Sequence, residues 1–151
     1  SELFSAYKAA SINNHAVGFG LLTEASQTYN WDLNLSEISR IWTNGCIIRS
    51  EFMENLVTLF QSHDRILTAP SMVDKLEECQ DDLSYVVGQG LQHGFALPVF
   101  SSAINYFLGA ITAQSPANLI QAQRDYFGAH TYQRIDQPRD KYFHTEWKKK
   151  I

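Results

Sequence analysis

An all-α fold is predicted for this chain of 151 residues, and three features of the sequence predict it. Apolar residues recur at three- and four-residue intervals through most of the chain, the spacing of one helix face. Asparagine, serine and proline stand ahead of those runs as helix start signals. No segment alternates apolar and polar residues for long enough to read as a half-buried strand.

The elements follow in order. Between Ser1 and Tyr29, Leu3, Tyr7, Asn14, Val17 and Leu21 share one helical face, while Ile12, Ala16 and Phe19 share another. A helix apolar over that much of its girth is expected at the buried centre of a bundle. Asn34 or Ser36 can cap a second helix running through Ile41-Trp42 and broken near Asn44-Gly45. Ile47-Ile48 leads into a third, SEFMENLVTLF, with Phe52, Leu56, Leu59 and Phe60 on one stripe. After Pro70, Ser71 is expected to cap a fourth helix, with Asp74 three residues on as a capping-box variant. Its stripe is Val73, Leu76, Cys79, Leu83 and Val87, and it should stop by Gly94. Pro98 suits the first position of a fifth helix, expected to bury Phe100, Ile104, Phe107, Leu108 and Ile111. Ser115 and Pro116 repeat the start signal for a sixth, with Gly128 as its expected left-handed stop. A short irregular tail is expected from His130 onward. No internal repeat or long linker appears, so one domain over residues 1–151 is expected.

Composition narrows the function. Hydrophobic residues make up 44%, enough for one core and too many for a disordered chain. The net charge of −4 provides no basic face, so neither nucleic acid nor an anionic membrane is an expected partner. The single basic run, Lys148-Lys149-Lys150, reads as a solvated tail rather than a phosphate site. No apolar run approaches the ~20 residues of a membrane span, and no secretion leader is seen. Cys46 and Cys79 read as buried, reduced thiols of a cytoplasmic protein. The five histidines show no paired-ligand spacing, so no metal is expected. The first residue is Ser1, not methionine, from which a processed or truncated piece is expected.

Three stretches could carry chemistry. GFGLLT, Gly18 to Thr23, superficially resembles a dinucleotide loop, but it lies mid-helix and follows no strand, so close helix packing is the better account. Glu77, Glu78, Asp81 and Asp82 fall on the solvent side of the Val73–Val87 stripe and read as solvated. QAQRDYFGAHTYQR, Gln121 to Arg134, is different. With Leu119, Ile120, Gln123 and Phe127 taken as the core face of its helix, Gln121, Arg124 and Asp125 are left largely off the core. A turn after Gly128 can fold His130 back toward the helix end. Arg124 and His130 then stand as a phosphate or carboxylate clamp, guanidinium and imidazole together. A helix-capping role suits the same residues, since a basic side chain in the last turn favours the helix dipole. Spacing leaves both readings open.

GCIIRS (Gly45 to Ser50), PANLIQAQRDYFGAHTY (Pro116 to Tyr132) and FHTEW (Phe143 to Trp147), in that order, resemble the C-terminal domain of the 6-phosphogluconate dehydrogenase family. The resemblance runs from about Ala9 to Trp147. It implies an all-helical domain that supplies substrate contacts and a homodimer interface, in a cytoplasmic enzyme of the pentose phosphate pathway. That enzyme oxidises and decarboxylates 6-phosphogluconate to ribulose 5-phosphate with NADP and without a metal. By the resemblance, Arg124 and His130 bind substrate, and the tail reaches the active site of the partner subunit. NADP would be held by an N-terminal domain absent from this chain. The family's catalytic lysine and glutamate also lie upstream, so no catalytic residue is expected here and the isolated piece should be inactive. The chain departs from the family pattern at Thr43 and Asn44, and at Leu108 and Thr112, which removes charge and leaves Arg124 and His130 untouched. The alternative is a stand-alone helical domain that binds a sugar phosphate or dimerises without catalysis.

Overall fold

The computed structural model describes residues 1–147, and the Lys148-Lys149-Lys150 run lies outside them. Six α-helices make up the described chain: α1 (Glu2–Tyr29), α2 (Leu35–Trp42), α3 (Glu51–Leu59), α4 (Pro70–Gln92), α5 (Pro98–Ile111) and α6 (Ala117–Gly128). A single 3₁₀ turn, Ile66–Thr68, precedes α4. The chain divides into two compact units, Ser1–Leu108 and Gly109 onward.

In the first unit, α1 packs chiefly on α4, and α2 pairs with α3. Ala6, Ala9, Ala10 and Ala16 line the buried face of α1, and such small side chains let a neighbouring backbone come close. Phe19, Met53, Leu56, Leu76 and Leu83 fill the core around them. Asn30 ends α1 in the left-handed conformation, φ 55°, which asparagine tolerates better than most residues. Of the two candidates, Asn34 is the cap of α2, its Oδ1 accepting the Glu37 N–H at 3.1 Å. Thr43 closes the same helix, its hydroxyl donating to the Arg40 carbonyl at 2.7 Å. Ser36 instead ties α2 to α3, donating to the Val57 carbonyl at 2.7 Å. Ser50 caps α3 by accepting the Met53 N–H at 3.1 Å.

Several expectations are corrected. Only the Ile12–Ala16–Phe19 side of α1 is buried, whereas Leu3, Tyr7, Val17 and Leu21 are exposed. One layer of partner helices covers one face, and periodicity alone cannot count neighbours. Gly18 and Gly20 have no atom within 4 Å of where a Cβ would sit, so they do not serve close packing in the described residues. α4 begins at Pro70 after Ala69, and Ser71 makes no cap hydrogen bond. Proline's fixed φ and missing N–H already suit the first helical position, which makes a side-chain cap unnecessary there. Phe107 is buried as expected, but Leu108 and Ile111 are exposed. Cys46 and Cys79 are free and only half-buried.

The largest correction lies in α6. Leu119, Ile120 and Phe127, expected as its core stripe, are 75%, 61% and 68% exposed, while Asp125 has no exposed surface. Nor is Gly128 the left-handed residue. That role falls to Ala129, φ 49°, whose N–H donates to the Asp125 carbonyl at 3.0 Å.

Candidate functional site

The second unit is organised around one carboxylate. Asp125 Oδ1 accepts the Thr131 N–H and His144 Nδ1, each at 2.9 Å. Its Oδ2 accepts the Thr145 N–H at 3.0 Å and the Trp147 indole N–H at 2.9 Å. Ionised carboxylate only accepts, so His144 must carry its proton on Nδ1. Burial by itself raises this carboxyl's pKa. The Thr145 N–H, the His144 ring, the Trp147 indole and the Thr131 N–H together outweigh burial and hold the pKa well below the usual carboxylate range.

That direction fixes a pH dependence. A depressed folded-state pKa contributes stability that is complete above the unfolded pKa of about 4 and is lost as pH falls further. Urea midpoints of the wild-type and Asp125→Asn proteins should therefore differ by a constant amount above about pH 5 and converge as pH drops below about 4. A gap that stayed constant down to pH 2 would mean that these hydrogen bonds do not favour the ionised form.

The same carboxylate shapes the turn carrying His130. Ala129 and Thr131, on either side of it, both have positive φ, 49° and 60°. For a β-branched threonine that conformation is an outlier, costing on the order of 1–3 kcal/mol and persisting only where surrounding contacts impose it. Gly128 allows the turn to close. A Cβ there would lie 2.7 Å from Cδ2 and Nε2 of the His130 ring. The ring also meets Phe127 edge-on, with centroids 6.2 Å apart. His130 itself is exposed, and no described residue hydrogen-bonds its ring nitrogens.

Arg124 is exposed on α6, and its Nη1 donates to Gln121 Oε1 at 3.2 Å. The Gln121 amide nitrogen in turn donates to the Thr131 carbonyl at 2.5 Å. Thus Gln121 links Arg124 to Thr131, the residue that follows His130. His130 and Gln121 line a cavity of about 640 Å³ together with Asn118, Tyr132, Tyr142 and Trp147, whereas Arg124 is not part of its wall. The tail beyond is irregular but ordered. An antiparallel bridge joins Tyr132 to Phe143, and the Tyr132 hydroxyl lies 2.8 Å from Thr145 Oγ1. Arg134 forms a two-point pair with Asp136 at 2.8 and 2.5 Å. A separate cleft of about 620 Å³ in the first unit is lined by Asp32 and Asp64 with no lysine or arginine, and so is ill suited to an anion.

Arg124 and His130, expected at this site, both lie exposed on the second unit, whereas Asp125, expected off the core, is buried, and Gln121 has partners that the sequence did not suggest. A signal existed. FHTEW holds three good donors to a carboxylate in His144, Thr145 and Trp147, and Asp125 lies in the other motif.

Comparison with known proteins bears on what this site serves. The family described as "6-phosphogluconate dehydrogenase, C-terminal domain" matches residues 1–147. Relatives named 6-phosphogluconate dehydrogenase, decarboxylating, include one from Escherichia coli, 45% identical over 139 residues, and one from Aggregatibacter actinomycetemcomitans, 42% identical over 142. These alignments cover 90% and 92% of this chain but only 29% of each relative's length. A solved structure of Plasmodium falciparum 6-phosphogluconate dehydrogenase matches with a TM-score of 0.88 at 34% identity, over 97% of this chain and 32% of that one. That enzyme is described in its apo form, with its cofactor NADP+, and with its substrate 6-phosphogluconate.

Proposed function

Because this chain belongs to the 6-phosphogluconate dehydrogenase C-terminal domain family, we propose that it is the substrate-binding and dimerisation part of a longer decarboxylating 6-phosphogluconate dehydrogenase. In this reading the whole enzyme converts 6-phosphogluconate to ribulose 5-phosphate and carbon dioxide, reducing NADP, in the cytoplasm. Residues 1–151 form its C-terminal domain, and the tail reaches the substrate site of a partner subunit.

The observation that carries the reading is the turn at His130. Two left-handed residues and a fully buried carboxylate hold an exposed imidazole whose nitrogens are left available. Strain retained around an exposed polar side chain is characteristic of ligand-binding positions. Arg124, exposed one turn earlier, adds a planar donor fork that fits a phosphate or carboxylate of 6-phosphogluconate. The exposed apolar faces, Leu3, Tyr7, Val17 and Leu21 on α1 and Leu119, Ile120 and Phe127 on α6, support burial against a second subunit.

NADP does not fit the described residues. The Gly18-Phe19-Gly20 stretch lies inside α1, where backbone N–H groups are committed to the helix and cannot cradle a pyrophosphate. In the proposed enzyme the dinucleotide, which supplies hydride acceptance, is held outside this chain.

The test is an assay of the longer protein for 6-phosphogluconate-dependent reduction of NADP with stoichiometric release of carbon dioxide. The same protein truncated after Ser115 should retain no measurable turnover, because the clamp is gone. Absence of this activity in the intact protein would refute the reading. A subtler change is also informative. Gly128→Ala places a methyl against the His130 ring, and should raise KM for 6-phosphogluconate about tenfold with KM for NADP unchanged. An unchanged KM would show that the placement of this ring does not matter to binding.

A further inference from the structure

We propose that Asp125 is a positioning residue for His130, its buried carboxylate, clamped by the tail, holding the turn that presents the imidazole. The inference rests on the substrate-binding reading above. Asp125 holds both neighbours of His130 by separate routes: its carbonyl accepts the Ala129 N–H at 3.0 Å, and Oδ1 accepts the Thr131 N–H at 2.9 Å. These are the two residues with left-handed backbone, and neither alanine nor threonine stays there unaided.

The remaining donors come from the tail. His144 shares Oδ1, while Thr145 and Trp147 hold Oδ2. A carboxylate without exposed surface and with four donors has no place left for a ligand, so its influence on substrate must pass through what it holds. Gln121 adds a second tie, gripping the Thr131 carbonyl with its amide nitrogen while its oxygen accepts from Arg124. The tail motif and the turn motif, distant in sequence, thus act on His130 through one side chain.

Asparagine is the discriminating replacement. It keeps the shape of aspartate but turns one acceptor oxygen into a donor, so at least one backbone N–H on that oxygen must lose its partner. In the longer protein, Asp125→Asn should raise KM for 6-phosphogluconate about tenfold and leave KM for NADP unchanged. The rise should vanish when His130 is already alanine, because the two residues act as a unit. Adding Thr131→Gly to Asp125→Asn should recover about threefold of the loss, since glycine adopts positive φ without strain. A residue that merely supported the fold would show neither the coupling nor the rescue.

Should Asp125→Asn fail to fold, Trp147→Phe carries the test, removing a single N–H from Oδ2 and keeping most of the apolar ring. It should raise the same KM about threefold, again only with His130 present. An unchanged KM in either folded variant, or an equal rise without His130, would overturn the inference while leaving the substrate reading in place. If His130→Ala leaves KM unaltered, the inference has no object and is lost. If Arg124→Ala also has no effect, the substrate reading fails with it.

Discussion

Replacing Arg124 by alanine in the longer protein should lower kcat/KM for 6-phosphogluconate about a hundredfold, the cost of removing one charged two-point donor from an anionic substrate. Arg124 is exposed and its one side-chain partner in the described residues is Gln121, itself neutral, so the substitution strands no buried charge. Folding should be almost unaffected, within about 0.5 kcal/mol, as for surface changes generally. Arg124→Lys should recover only part of the loss, because an ammonium is a point charge that cannot reproduce the planar fork. Steady-state kinetics with 6-phosphogluconate varied at saturating NADP, alongside urea unfolding, would read both effects. A loss below threefold with stability intact would remove Arg124 from the substrate site.

The second large effect concerns stability. Leu83 on α4 is completely buried in the core, so Leu83→Ala should destabilise the protein by about 2–5 kcal/mol, combining lost burial with the cavity left behind. Leu21 on α1, the same residue type, is 70% exposed, and Leu21→Ala should change the stability of the isolated chain by less than about 0.5 kcal/mol. In the proposed homodimer the contrast narrows. There Leu21→Ala should weaken subunit association, visible as a concentration-dependent midpoint. Urea denaturation at two protein concentrations separates the two outcomes. If Leu21→Ala cost as much as Leu83→Ala in a monomeric chain, the assignment of buried and exposed faces on α1 would be wrong.

Much of the helical framework was legible because its signals are local. Asn34 is a cap because its side chain reaches an N–H three residues on, and Pro98 begins α5 because its ring fixes its own backbone. Gly94 follows α4 with φ 79°, a conformation that glycine reaches freely. Ser71 misled for a related reason: the serine-to-aspartate spacing is a valid start signal, but Pro70, one position earlier, is a sufficient one.

Which apolar face is buried is not local, and there the expectation failed for α1, for α6 and for the end of α5. α1 carries two apolar faces and its neighbours in the described chain cover one. α6 carries an apolar stripe that stays exposed while its aspartate is buried. The charge on Asp125 pointed to solvent because burying a carboxylate is unfavourable unless donors surround it.

By itself the sequence determined the all-helical class, the positions of the helices to within a residue or two, and the family, through motifs whose order and residues are visible in the chain. It also offered Arg124 and His130 as candidates for an anion clamp, a role the resemblance favours and spacing leaves open. The tertiary structure alone decided that Asp125 is the centre of that region. Its four donors lie 6, 19, 20 and 22 residues away along the chain, too far for any periodicity or spacing rule to connect them. Only folding the tail back onto α6 brings them together, making burial of the charge favourable and fixing the turn at His130.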